Sequence, residues 1–141
     1  MTKVFLDASV IIAALISPTG GSAKIVNFIR KELLVGIVSE TVIFEVEAHT
    51  LKIKKSKETI GRFIKENNIL VRRAITMEEI APYVGQVDID DIHLIAGAIL
   101  TKCNFLLTLD KKHLLRDDIR QKFKDLKIVS PKEFLEFVVT N

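Results

Sequence analysis

The chain alternates between short, continuously apolar runs and longer segments in which apolar residues recur every three or four positions. The continuous runs have the length of β-strands. They cover residues 3–6, 34–39, 104–109 and 127–129, and a further run at 69–75 is either a strand or the start of a loop. The periodic segments predict helices at 8–16, 23–33, 40–54, 56–67, 91–103 and 130–139, and a weaker helix at 76–84.

This alternation predicts the class of fold. Strands separated by helical segments form βαβ units, which place the strands in a parallel sheet. The strands are apolar throughout, as expected when helices cover both faces of the sheet. No repeat or Pro/Gly/Ser-rich linker divides the sequence. We therefore expect an α/β fold with three layers, α/β/α, around a central, mostly parallel sheet, in a single domain over residues 1–141.

Composition narrows the class of protein further. The single cysteine, Cys103, excludes an internal disulfide and fits a reducing compartment. Asp7 interrupts the apolar run near the N-terminus, which argues against a secretion signal, and the apolar runs are too short to cross a bilayer. We therefore expect a cytoplasmic protein with no membrane segment. The net charge of +3 permits a nucleic-acid partner without requiring one.

Two aspartates follow predicted strands directly. Asp7 comes after the strand at 3–6, and Asp110 comes after the strand at 104–109. Ligands of open α/β sheets bind beyond the carboxyl ends of the strands, where both side chains are expected. An aspartate in this position often only caps the next helix. Two of them at the same edge favour a functional site.

A third group of acids lies in the stretch VDIDDIHLIAGAIL, residues 87–100. Three aspartates, Asp88, Asp90 and Asp91, precede an apolar helix, although a helix start needs only one capping residue. With a helix that begins near Asp91, this residue shares a face with Ile95 and Ala98. The group either caps the helix or binds a cation that offsets the repulsion between the carboxylates.

The helix predicted at 40–54 supplies a fourth candidate. Glu45 and Glu47 flank its apolar stripe at similar angles, so periodicity alone does not choose between them. His49 lies one turn beyond Glu45, either as a surface residue or as a hydrogen-bond partner of the site.

Carboxylates without a convergent set of histidine or cysteine residues favour a hard cation. Mg²⁺ and Mn²⁺ prefer oxygen ligands, and such an ion can activate water and stabilise charge on a phosphate. Carboxylates that hold a metal, together with lysines that contact a polyanion, are suited to hydrolysis of a phosphodiester.

Four segments taken together resemble a PIN domain. They are VFLDASVIIAAL, SETVIFEVE, DIDDIHLIAGAI and FLLTLDKKHL, in the same order and with similar spacing, and the resemblance covers about residues 3 to 135. It implies a parallel α/β sheet with acids at its carboxyl edge and Mg²⁺- or Mn²⁺-dependent ribonuclease activity on an RNA substrate. Short members are often toxins of VapBC-type toxin–antitoxin pairs, which implies an antitoxin partner and a homodimer.

The resemblance also implies which residues form the site. The four main acids fall on positions of this sequence that match the family motifs, and the resemblance selects the first of the two glutamates: Asp7, Glu45, Asp91 and Asp110. Ser9 matches a small polar position that binds water or metal, and Asp88 is an extra acid that could assist. Whether Asp88 or Asp90 joins the site is left open.

Other classes of protein fit less well. A receiver-type signalling domain needs an acidic pair near the first strand, and a haloacid-dehalogenase-like phosphatase needs an aspartate where Ser9 stands. The segment PTGGSAK lacks the Gly-Lys-Ser/Thr ending of a phosphate-binding loop. The alternative that remains is a non-catalytic module with this scaffold, which binds RNA or a protein.

Overall fold

The computed structural model describes residues 1–140 and contains one five-stranded parallel sheet. Its strands are β1 (Lys3–Leu6), β2 (Val35–Ser39), β3 (Leu70–Arg72), β4 (Phe105–Leu107) and β5 (Lys127–Val129). The strand order is β3-β2-β1-β4-β5, and each neighbouring pair is parallel. The predicted α/β fold is confirmed, and the uncertain run at 69–75 contains a short strand.

The strands are joined by helices that lie on both sides of the sheet. The helices are α1 (Ala8–Ile16), α2 (Gly21–Arg30), α3 (Glu40–Glu47), α4 (Thr50–Ile53), α5 (Lys57–Glu66), α6 (Met77–Ile80), α7 (Ile92–Leu100), α8 (Asp117–Lys122) and α9 (Pro131–Thr140). In residues 1–140, no helix alone is long and apolar enough to span a membrane; α1 and α2 have that length and composition together, but they are bent by 97°.

Two glycines let helices approach the sheet closely from opposite sides. A Cβ atom on Gly97 of α7 would lie 2.6 Å from the ring of Phe5, which is fully buried in β1. A Cβ atom on Gly36 of β2 would lie 2.4 Å from Ile29 of α2. Gly36 pairs with Val4, the residue before Phe5, and neighbouring residues of a strand point to opposite faces. Helices α2 and α7 therefore cover opposite faces of the sheet, which gives the three predicted layers.

The helix predicted at 40–54 is divided into α3 and α4. The backbone carbonyl of Glu45 lies 2.8 Å from the ring Nδ1 of His49, and the N–H of His49 instead donates to Val46, three residues back, at 3.0 Å. The side chain of His49 therefore takes the carbonyl that would accept the next helical hydrogen bond. This local competition ends α3 and accounts for the break.

One predicted boundary differs from the structure by a single residue, and one helix was missed. The helix predicted from Asp91 begins at Ile92, because a 3₁₀ turn at Ile89–Asp91 precedes α7. Helix α8 was not predicted, because within its six residues only Ile119 is buried and the apolar period is too short to detect.

Candidate active site

Asp7 follows β1, and its carboxylate accepts hydrogen bonds from two hydroxyl groups. It occupies the N-cap position of α1 but makes no side-chain capping hydrogen bond. Its Oδ2 accepts hydrogen bonds from Ser9 Oγ at 2.9 Å and Thr108 Oγ1 at 2.7 Å. Asp7 is buried, and Thr108 is fully buried. The capping explanation therefore does not account for this acid.

Asp110 is connected to Asp7 through Thr108. Its backbone N–H donates to Thr108 Oγ1 at 3.0 Å, so one hydroxyl group bonds both acidic segments. Its Oδ1 accepts the backbone N–H groups of Lys112 and His113 at 3.1 and 3.0 Å. The ring Nδ1 of His113 lies 3.1 Å from Oδ2. The turn after β4 therefore orients this carboxylate.

The three aspartates before α7 have different positions. Asp88 accepts the backbone N–H of Asp90 at 3.0 Å and thereby caps the 3₁₀ turn. Asp90 is exposed. Asp91 makes no capping hydrogen bond, and its side chain is only 16% exposed. Because α7 leads into the parallel strand β4, its first turn lies at the carboxyl edge of the sheet. The capping role falls to Asp88, and Asp91 faces the other acids.

Glu45 is the glutamate of α3 that interacts with the other acids, and its charge raises the pKa of Asp7. Its Oε1 is buried and has no hydrogen bond, and the ring Nε2 of His93 lies 3.2 Å from it. The ring of His49, which the sequence suggested as a partner of the site, lies against the backbone carbonyl of Glu45 rather than its carboxylate. The histidine beside this carboxylate is therefore His93, from α7.

The carboxylates influence each other electrostatically. The pKa of Asp91 is raised from 3.8 to about 7, chiefly because burial disfavours the charged form. The negative charges of Asp110, Asp7 and Asp88 add to this rise, and His113 opposes it. Asp7, Asp88 and Asp110 are therefore close enough to Asp91 for their charges to disfavour its ionisation, and Glu45 has the same effect on Asp7.

The pKa of Asp7 is also raised, again first by burial. The hydrogen bonds from Thr108 and Ser9 oppose this effect because they stabilise the charged carboxylate, whereas the charge of Glu45 adds to it. The two hydroxyl groups therefore keep a buried acid closer to its ionised form. Ser9 also accepts the backbone N–H of Leu109 at 3.1 Å, so its hydroxyl is engaged on both sides.

The residues present fit a divalent cation. One ligand atom each from Asp91, Asp110 and His113 lie within 4.8 Å of one another. The buried Oε1 of Glu45 has no hydrogen bond although His93 Nε2 lies 3.2 Å away, and a cation at this position would compensate for the lost solvent. The carboxylate oxygens of these acids are the kind of ligand that Mg²⁺ and Mn²⁺ prefer.

Three residues of the site were not predicted from the sequence. Thr108 stands two residues before Asp110, and His113 stands three residues after it, so proximity to a strand-end acid was a usable signal. His93 lies two residues after Asp91, and residues two apart on a helix do not face each other. The sequence therefore contains no indication that His93 belongs to the site. Its side chain is found only when α3 and α7 are placed together.

Comparison with known proteins identifies the family. Residues 3–112 match the family described as PIN domain. A protein of Methanocaldococcus jannaschii, uncharacterized protein MJ1680, is 29% identical over 140 residues, which cover 95% of this chain and 90% of that protein.

Solved structures show the same fold at low sequence identity. One is VapBC2 from Rickettsia felis bound to a DNA fragment from its promoter, with a TM-score of 0.62, 15% identity and coverage of 92% of this chain and 98% of that chain. Another is Mycobacterium tuberculosis VapC20, a toxin that cleaves the sarcin–ricin loop, with a TM-score of 0.56, 10% identity and coverage of 77% and 91%.

Proposed function

This chain belongs to the PIN domain family, and on that premise we propose that it is a metal-dependent endoribonuclease that hydrolyses RNA phosphodiester bonds. One observation carries the proposal: acids from four separate segments converge at the carboxyl edge of the sheet, where burial and the charges of Asp110, Asp7 and Asp88 raise the pKa of Asp91 to about 7, and the charge of Glu45 raises that of Asp7. Such repulsion lowers stability and is retained at sites that bind a cation.

Mg²⁺ or Mn²⁺ is the proposed cofactor. The carboxylates that would hold it are those of Asp7, Glu45, Asp91 and Asp110, with Asp88 and Ser9 beside them. When bound, the ion supplies charge that stabilises a phosphate under attack and favours ionisation of water.

The protein side chains supply position and charge. The two hydroxyl groups that bond Asp7 Oδ2 leave Oδ1 outside this pair of hydrogen bonds. The backbone N–H groups of Lys112 and His113 orient the carboxylate of Asp110 by donating to its Oδ1. Lys111 and Lys112 are exposed and follow Asp110 directly, where ammonium groups favour a polyanionic backbone.

We further propose that the protein acts in the cytoplasm as the toxin of a toxin–antitoxin pair. The likeness in fold to the VapBC2 and VapC20 structures supports this proposal. It implies a protein antitoxin as partner and a homodimer as the assembled form.

A cleavage assay tests the proposed activity. Structured and unstructured RNAs are incubated with the purified protein in Mn²⁺, in Mg²⁺ or with a chelator. We expect cleavage with either ion, none with the chelator, and a loss of at least about 100-fold in Asp7→Asn. Asp125→Asn is the matched control, because Asp125 is exposed and precedes β5 at the opposite edge of the sheet. Cleavage that survives the chelator, or that is undiminished in Asp7→Asn, contradicts the proposal.

Expression in a bacterial host tests the toxin role. We expect growth arrest with the wild-type chain and normal growth with Asp91→Asn produced to the same level. Full nuclease activity without arrest would leave a nuclease that is not a toxin. Metal-independent RNA binding without cleavage would instead favour the non-catalytic module.

A further inference from the structure

His113 faces carboxylates from two different segments of the chain. Its ring Nδ1 is 3.1 Å from Asp110 Oδ2 and 3.9 Å from Asp91 Oδ2. Its ring Nε2 is 3.8 Å from Asp88 Oδ2. The ring is therefore the nitrogen-bearing side chain that lies between the strand-end acid and the acids that precede α7.

The turn after β4 places this ring before any ligand arrives. The backbone carbonyl of Asp110 accepts the N–H groups of Leu114 and Leu115 at 3.2 and 2.9 Å. Leu114 is fully buried and anchors the turn in the core. The carboxylate of Asp110 accepts the N–H of His113 itself at 3.0 Å. Backbone and core therefore restrict where the imidazole can lie.

The spacing of the three ligand atoms fits a shared ion. One atom each from Asp91, Asp110 and His113 lie within 4.8 Å of one another. Two ligands at about 2.1 Å from one ion are roughly 3 Å apart when adjacent and roughly 4 Å apart when opposite. The distances from Nδ1 to the two carboxylate oxygens, 3.1 and 3.9 Å, lie within this range.

We infer that His113 is a direct nitrogen ligand of the divalent ion held by Asp91 and Asp110, and that it makes the site favour Mn²⁺ over Mg²⁺. Imidazole nitrogen suits transition metals, whereas Mg²⁺ strongly prefers oxygen. The inference rests on the proposed function, because it concerns the cofactor of that same site. It adds one nitrogen to a set of ligands that the sequence predicted to consist of oxygen atoms.

Two other arrangements compete with this one. His113 could only donate a hydrogen bond from Nδ1 to Asp110 and support that carboxylate from outside the metal shell. The nitrogen ligand could instead be His93, whose Nε2 lies 3.2 Å from Glu45 Oε1. The variants must separate ligation from hydrogen bonding, and His113 from His93.

The test uses purified full-length protein, MnCl₂ and MgCl₂. Isothermal titration gives the dissociation constant of each ion, and pulsed electron paramagnetic resonance of bound Mn²⁺ detects a directly coordinated nitrogen. His113→Asn keeps a hydrogen-bond donor near Asp110 but offers oxygen as its ligand atom. His93→Gln tests the competing histidine, and His49→Asn tests the remaining histidine of the sequence, whose exposed ring contacts the backbone carbonyl of Glu45 rather than its carboxylate.

We expect nitrogen coupling in the wild-type protein, in His93→Gln and in His49→Asn, and its loss in His113→Asn. In His113→Asn, we expect the dissociation constant of Mn²⁺ to rise by about tenfold or more and that of Mg²⁺ to change by less than about threefold. Absence of Mn²⁺ binding, coupling that persists in His113→Asn, or an equal loss of affinity for both ions would overturn the inference.

Failure of the inference is separable from failure of the proposed function. RNA cleavage by the wild-type protein without nitrogen coupling would leave the nuclease proposal standing and refute the role of His113. Nitrogen coupling from His113 in a protein that cleaves no RNA would support the role of His113 and refute the nuclease proposal.

Discussion

At the scale of single residues, Thr108 connects Asp7 and Asp110, which lie in distant segments of the sequence. Its fully buried hydroxyl donates to Asp7 and accepts the backbone N–H of Asp110. A buried polar group that loses its partner costs about 1–3 kcal/mol. This residue therefore affects both the stability of the fold and the orientation of the acids.

We expect Thr108→Val to lower the free energy of unfolding by about 1–3 kcal/mol and RNA cleavage by at least about tenfold, because it leaves the Asp110 N–H unpaired and removes a donor from Asp7. Thr108→Ser keeps the hydroxyl and should retain cleavage within about threefold, with only a methyl group lost from the core. Urea denaturation and initial cleavage rates measure the two effects. A valine variant that cleaves at the wild-type rate would contradict this role.

The raised pKa of Asp91 predicts how the free energy of unfolding depends on pH in the absence of metal. Its pKa is about 7 in the folded protein and near 3.8 when the chain is unfolded, so the folded state binds the proton more tightly. The stability that this proton contributes is fully present below about pH 4 and is lost progressively as pH rises to about 7.

Asp91→Asn removes this penalty. In the presence of a chelator, we expect the variant to be more stable than the wild type, and its advantage to be about 2–3 kcal/mol larger at pH 8 than at pH 5. Denaturation curves at the two pH values measure the difference, with Asp125→Asn as the control that should show none. An advantage that does not change with pH would mean that Asp91 is ionised at both.

At the scale of elements, the packing of α7 on the sheet determines where Asp91 lies. Gly97 of this helix contacts the ring of Phe5 in β1, and Phe5 is followed in the same strand by Leu6 and then by Asp7. The close approach of helix and strand therefore sets the distance between two of the acids.

We expect Gly97→Ala to destabilise the protein by about 1–3 kcal/mol, because its new Cβ would lie 2.6 Å from the fully buried ring of Phe5 and would force the ring or the helix to shift. Gly61→Ala in α5 is the matched control. Nothing lies within 4 Å of the added atom there, and alanine should stabilise the helix by about 0.5–1 kcal/mol. Thermal or urea denaturation checks both signs, and destabilisation of equal size in both variants would contradict this account of the packing.

At the scale of the whole molecule, four segments far apart in sequence meet at one edge of the sheet. In a protein with this arrangement, a bound cation stabilises the folded state, because the unfolded chain separates the acids. The proposed metal site and the fold are therefore expected to be coupled.

We expect saturating Mn²⁺ or Mg²⁺ to raise the melting temperature by about 5–10 °C, which corresponds to about 2–3 kcal/mol at 100 times the dissociation constant. A chelator should reverse the rise, and KCl at matched ionic strength should not reproduce it. Asp91→Asn should lose most of the metal-dependent part. An equal rise in that variant would place the ion elsewhere.

Much of this molecule could be predicted from the sequence, because strand and helix periods are local properties. Apolar runs located the strands, and the alternation of strands and helices determined the parallel sheet. Strand polarity then placed Asp7 and Asp110 at the same edge. The choice of Glu45 over Glu47 came from the resemblance to PIN domains, since both positions look alike by periodicity alone.

The tertiary structure alone decided which groups touch. The hydrogen bond from Thr108 to Asp7 spans 101 residues, and the contact between His93 and Glu45 joins two helices on separate segments. The break after α3 depends on a ring that competes for one backbone carbonyl. Local sequence specifies helices and strands because their hydrophobic periods repeat within a few residues. Contacts between side chains depend instead on how distant elements pack, and the local period contains no information about that packing.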